Sequence, residues 1–214
     1  MAIKPIQYET LLSVCTDHEG ALELLKRHRP YLEAVPSMRR PDESVVTLPL
    51  PNVRLRDGVH LDPHSPSIAP GSVVPLPCDV ALLMCDPEWK IKTGVEILVY
   101  IHRPQEDFSD LLMRWRHTQI LIDRGYDWLL PQHYEHLLND GTDKSHPLFV
   151  VFPETPNYII RGLRGAGLPT VLLSCEAEVD EVSESSSTSE MGDILGDIPG
   201  LDDIDTSALE SPDD

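Results

Sequence analysis

Cys78-Asp79-Val80-Ala81-Leu82-Leu83-Met84-Cys85, followed by Val95-Glu96-Ile97-Leu98-Val99-Tyr100-Ile101, are the stretches on which the fold turns. Residues 80–85 and 95–101 are nearly unbroken apolar runs rich in branched side chains, the pattern of strands buried on both faces. Immediately downstream, Phe108, Leu111, Leu112, Trp115, Gln119 and Ile122 fall at helical spacing, with Asp107 at the start and Gly125 as the stop. A short strand is expected at 126–130, then a helix at 132–139, a strand at 147–152, a helix at 156–165 and a strand at 169–174. Such alternation implies an α/β domain, a mixed sheet with helices on its faces. Val80, Leu82, Leu83, Ile97, Val99, Leu112, Trp115, Leu148, Val150, Leu172 and Leu173 are its expected core.

Upstream, residues 1–35 read as a helical segment packing on that core. Tyr8, Leu11, Leu12 and Cys15 form one apolar face, Asp17 punctuates, and Ala21, Leu22, Leu24, Leu25, Tyr31 and Leu32 form a second. A helical hairpin and a long broken helix fit equally, with Pro30 ending or kinking the second half. Residues 36–77 are proline-rich, with strands expected at 45–50 and 53–55, a hairpin turn at Arg56-Asp57-Gly58 and loop over 60–73. With 78–175 as the α/β core, these segments make one globular domain.

The last stretch, 176–214, differs in kind. The whole chain of 214 residues carries 36 Asp+Glu against 17 Lys+Arg, a formal charge of −19. Fourteen of the acids and no Lys or Arg fall in 176–214, leaving the rest near −5. No aromatic follows Tyr158, and recurring Gly, Pro and Asp oppose helix. Such a segment buries too little apolar surface to offset its ordering entropy, so a disordered acidic tail is expected. Its apolar residues Ile194, Leu195, Ile198, Leu201 and Ile204 nevertheless recur three or four apart between aspartates. That pattern suits docking into a groove of a protein partner, although a merely solubilising tail fits the composition as well. The acid-flanked cluster 185–189 also suits an acid-directed kinase.

Composition narrows the function classes. No run approaches the roughly 18 apolar residues of a membrane helix, and the first twenty residues lack an apolar signal core. Cys15, Cys78, Cys85 and Cys175 fall in no metal spacing and sit in apolar runs, as buried thiols of a reducing compartment do. An intracellular, cytoplasmic location is expected, with the nucleus also compatible. The net negative field opposes a nucleic acid wrapping most of the surface.

One constellation carries potential chemistry. Pro77-Cys78-Asp79 precedes Glu88-Trp89-Lys90, two carboxylates and a lysine at strand spacing. Asp79 and Glu88 would hold Mg²⁺ or Mn²⁺, and Lys90 would position the attacking water. The competing reading makes Asp86-Pro87-Glu88 a turn and Lys90 and Lys92 a solvated strand face. With the order helix, strands, helix, strand over residues 8–130, this set resembles the PD-(D/E)XK nucleases. Cys78-Asp79-Val80 to Cys85-Asp86-Pro87, Ile97 to Pro104, Asp110-Leu111, Gly125 and Trp128-Leu129 are similar to one branch, the restriction-endonuclease-type family abundant in cyanobacteria. The likeness spans about residues 78–130 and implies a restriction-endonuclease-like fold. It departs from the family at three points: Tyr100 stands at the glutamate position, Arg114 at the lysine position, and Cys78 replaces the proline before Asp79. An active centre would then depend on Glu88, Glu96 or Lys90 moving into place.

Weaker groupings are His60 and His64 beside Asp62, and His133 with His136 near Asp140 and His146, each a conceivable metal set that solvated histidines also explain. Arg161-Gly-Leu-Arg-Gly-Ala-Gly167 reads as a helix end and not as a phosphate cradle. Arg114, Arg116 and Arg124 with Trp115, and Arg39, Arg40, Arg54 and Arg56, are basic clusters able to touch a phosphate backbone. Two function classes follow. The first is a non-enzymatic regulatory or interaction protein without cofactor, whose tail engages a protein partner. The second is a metal-dependent nuclease of PD-(D/E)XK type with an autoinhibitory tail.

Overall fold

The structure, a computed structural model, describes residues 4–27, 45–86, 91–134, 141 and 145–174, apart from the side chains of 85, 86 and 91–95. The chain divides into a compact unit, Met1–Ala177, and a second unit, Glu178–Asp214. Every described element lies in the first. The tail with Ile194, Leu195, Ile198, Leu201 and Ile204 lies outside the described residues, as do Glu88 and Lys90.

Two helices open the domain, α1 (Pro5–Thr16) and α2 (His18–Arg27). Asp17 separates them. Its backbone N–H donates to Ser13 O at 3.0 Å, and its carboxylate accepts from the Gly20 N–H at 3.2 Å, so one residue closes α1 and opens α2. The helical hairpin is therefore the form adopted. Strands β1 (Val45–Pro49), β2 (Asn52–Leu55), β3 (Val73–Pro75), β4 (Val80–Asp86) and β5 (Ile91–Ile101) follow. Then come α3 (Phe108–Ile122), β6 (Tyr126–Trp128), a 3-10 turn at Gln132–Tyr134, β7 (Ser145–Val151), α4 (Asn157–Gly165) and β8 (Thr170–Leu172).

The main sheet has five strands in the order β1-β4-β5-β7-β8. β4 runs antiparallel to both neighbours, whereas β5, β7 and β8 are mutually parallel, so the sheet is mixed. A second sheet of three strands, β3-β2-β6, is antiparallel. Alternation along each central strand feeds two cores. Val80, Leu82, Met84, Ile97, Val99, Ile101, Leu148 and Val150 face the α1–α2 hairpin. Ala81, Leu83, Leu98, Tyr100, Phe149 and Val151 face α3, α4 and the small sheet. Burial on both sides is what the apolar runs demanded, since a polar residue on either face of these strands would be desolvated.

Four sequence expectations need correction. Arg56-Asp57-Gly58 does not return β2 onto a partner strand. The chain continues through an isolated bridge, Val59 to Ile68, and returns at Gly71, whose N–H donates to Leu55 O at 2.8 Å before β3 pairs with β2. The helix expected over 132–139 is a 3-10 turn as far as Tyr134, and its remainder lies outside the described residues. Leu172 is 53% exposed, because in the short strand β8 the inward position belongs to Val171. On α3 the buried residues are Leu111, Thr118 and Leu121, with Leu112 and Trp115 only partly buried at the edge of the second core. No helix among the described residues is long and apolar enough to cross a membrane.

Candidate functional site

Asp79 lies one residue before β4 and is fully buried. Its N–H donates to Val99 O at 2.8 Å, continuing the β4–β5 ladder and placing its carboxylate beside the end of β5. Three elements and the segment after β5 supply donors to it. Oδ1 accepts from the Tyr8 hydroxyl of α1 at 2.8 Å and from Arg103 Nη2 and Nε at 2.7 and 3.3 Å. Oδ2 accepts from the Ile101 N–H at 2.7 Å and, at close range, from Nη2 of Arg114 on α3. A carboxylate has about four lone-pair positions, and all of them are taken.

Arg114 is itself enclosed by oxygen. Nε donates to Pro77 O at 3.0 Å, and Nη1 donates to Ile101 O at 3.1 Å and to Glu106 Oε1 and Oε2 at 3.0 and 3.2 Å. Burial pulls the Arg114 pKa down, and the charges of Asp79 and Glu106 more than reverse this, so the guanidinium is held charged. Its carbon sits 5.6 Å from the centre of the Tyr100 ring, which stacks on Phe149. Arg103 caps the cluster from solvent over the Tyr8 ring at 5.8 Å. Burial, then the neighbouring Asp79 charge, push the Tyr8 hydroxyl up to about 12. The same causes, burial first, raise the Cys78 thiol, which is buried and free.

The network extends behind Glu106. The Arg103 N–H donates to Glu106 Oε2 at 2.9 Å, and buried His102 places Nε2 2.9 Å from Glu106 O and Nδ1 3.0 Å from Thr155 Oγ1. Glu106 O is a carbonyl and can only accept, so Nε2 is the donor to it, while the Thr155 hydroxyl oxygen also accepts from the Phe152 N–H. Two carboxylates thus face two guanidinium groups around a rigid hydrogen-bonded frame, an arrangement that holds charge in place and offers no free base or nucleophile.

The other sequence candidates do not join it. Glu96, also buried, accepts from Trp128 Nε1 at 2.7 Å and from the Tyr126 hydroxyl at close range, tying β6 to β5. Asp62 lies 3.7 Å from His117 Nε2, and His60 Nδ1 lies 3.3 Å from Ser65 O, so that trio is not a metal set. The His133 ring packs at a tilt against Tyr134, His146 lies on β7, and His136 and Asp140 are outside the described residues. Among the described residues no three His, Cys, Asp or Glu side chains converge on a metal position. Neither basic cluster survives as a unit. Arg114 turns inward onto Asp79, Arg56 pairs with Asp127, and Arg39 and Arg40 are outside the described residues.

Sequence reasoning picked out Asp79 but missed Tyr8, Arg103 and Glu106. One signal was available: an aspartate between apolar runs must meet cations, and antiparallel pairing through Val80 and Val99 brings Arg103 nearest. Compared with protein-family models, curated proteins and solved structures, the chain matches none of them.

Proposed function

We propose that this chain is a non-catalytic interaction protein whose α/β domain is a docking scaffold on a restriction-endonuclease-like sheet. The observation that carries the reading is the saturation of Asp79. Every lone pair of its carboxylate is committed to Tyr8, Arg103, Ile101 or Arg114, so a divalent cation would have to displace two guanidinium charges to reach it. Support for the nuclease-like sheet comes from placement. Asp79, Tyr100 and Arg114, the positions that resemble the family's aspartate, glutamate and lysine, meet at one end of β4 and β5. The glutamate position is filled by an aromatic ring beneath Arg114. The acidic, apolar-spaced segment 191–205 complements this scaffold as a partner-binding element.

Calorimetric titration of the full chain with Mn²⁺, beside Asp79→Asn and a plasmid-cleavage assay, tests the proposal. Equal heats in both proteins and no cleavage above buffer are expected. Micromolar Mn²⁺ binding lost in Asp79→Asn, or Mn²⁺-dependent cleavage lost with it, would return the chain to the nucleases.

A further inference from the structure

The outer face of α3 is only partly covered by the second core, against which Leu112 and Trp115 pack. Ser109, Leu112, Met113, Trp115, Arg116 and Gln119 line a groove there of about 540 Å³. Spacings of three and four residues put Ser109, Leu112, Met113, Arg116 and Gln119 on one helical face. Met113 is half-exposed in this groove. Trp115 is held edge-on by Tyr100 with ring centres 5.8 Å apart, and Tyr100 stacks on Phe149, so the aromatic wall is fixed by the core. Arg116 is exposed, and its guanidinium makes no ion pair or side-chain hydrogen bond among the described residues. Among the described residues lining the groove it is also the one charged side chain.

Apolar walls around a single unpaired cation ask for an apolar ligand bearing a carboxylate. A nucleic-acid backbone asks instead for a row of cations, and the groove supplies one. We infer that this face of α3 docks an acidic peptide segment of a partner protein. Its apolar side chains seat against Leu112, Met113 and Trp115, and a carboxylate pairs with Arg116. The inference rests on the reading of the domain as a docking scaffold and gives that scaffold a place and a ligand class.

The test uses fluorescence anisotropy with a labelled synthetic peptide of sequence 191–205, which alternates Asp with Ile and Leu. It is titrated with the full chain and with a chain ending at Ala177, which retains both cores. Controls are the same peptide with Lys for Asp and a labelled single-stranded oligonucleotide. Saturable binding of the acidic peptide is expected, weakened about tenfold or more by Arg116→Glu and by Met113→Glu, exposed positions whose unfolding midpoints should stay near that of the parent. Binding by the shortened chain alone would mean that the chain's own acidic stretch competes for the groove, and overturns its assignment to a partner protein. No saturable binding by either chain, equal binding of the lysine peptide, or affinity unchanged in both variants overturns the inference. Preferred binding of the oligonucleotide, lost in Arg116→Glu, overturns it too. Manganese-dependent cleavage would defeat the non-catalytic reading without moving the anisotropy result, so the two failures are distinct.

Discussion

Arg114, in the middle of α3, donates through Nη2 to Oδ2 of Asp79, joining the helix on one face of the main sheet to the start of β4 and the end of β5. The same carboxylate takes the Tyr8 hydroxyl from the opposite face. Asp79 is therefore a tie between layers, and its removal leaves Arg114 largely buried without its main counter-charge. Breaking a buried pair by deleting one partner costs about 3–5 kcal/mol, a large share of an ordinary domain's stability. Asp79→Ala is expected to lose that much in urea unfolding. A loss below about 1 kcal/mol would mean the network is not the tie described.

Tyr8 gives this tie a pH signature. Its pKa is about 12 in the folded protein against about 10 unfolded, raised first by burial and then by Asp79. Between those values the unfolded chain releases a proton that the folded chain keeps, so stability is complete below pH 10 and falls as pH rises toward 12. Tyr8→Phe removes the hydrogen bond and that proton together. Its denaturation midpoint should begin lower at pH 8 and decline less steeply between pH 10 and 12. Parallel curves for the two proteins would place the alkaline loss in other groups, such as the raised Cys78 and Tyr100.

The corner between α1 and α2 admits only glycine at position 20. A Cβ built there would lie 2.0 Å from the Val14 carbonyl oxygen, which is backbone and cannot swing aside. Gly20→Ala must open the hairpin over a core that includes Leu11, Cys15, Leu24 and Leu25. A destabilisation of about 2–4 kcal/mol is expected, within the range for strain at a tightly packed position. Thermal unfolding would check it, and an unchanged midpoint would mean the hairpin packs differently.

Val99 occupies the centre of the sheet, fully buried and paired with Val80 on β4 and Leu148 on β7. An aspartate there would lie among the apolar side chains of the first core, and an unpaired buried charge costs several kcal/mol. Val99→Asp should be recovered unfolded or aggregated, seen as loss of a cooperative melting transition. A cooperative melt near that of the parent would contradict the placement of β5.

Asp107 caps α3. Its carboxylate accepts from the Asp110 N–H at 2.9 Å, and the Asp110 side chain returns a bond to the Asp107 N–H. Asp107→Ala should cost about 1 kcal/mol, and Asp107→Asn much less, because asparagine preserves the acceptor. Equal losses in the two variants would assign the effect to charge instead of capping.

What the sequence determined by itself was the parts and their order. Continuous apolar runs at 80–85 and 95–101, helical spacing after Asp107, and the break at Asp17 correspond to β4, β5, α3 and the α1–α2 corner. Each rests on local periodicity and capping, which act within a few residues. Asp79 was legible as a candidate through its spacing from Glu88 and Lys90 and through the resemblance to the nucleases. Its partners were not, because Tyr8, Arg103 and Arg114 lie 71, 24 and 35 residues away and reach it only when the two helical layers close on the sheet. Tertiary structure likewise decided that Arg114 points inward while Arg116, two residues on, stands free in the α3 groove. One helical turn carries both arginines, and only the direction from which the sheet approaches separates a buried tie from an exposed contact.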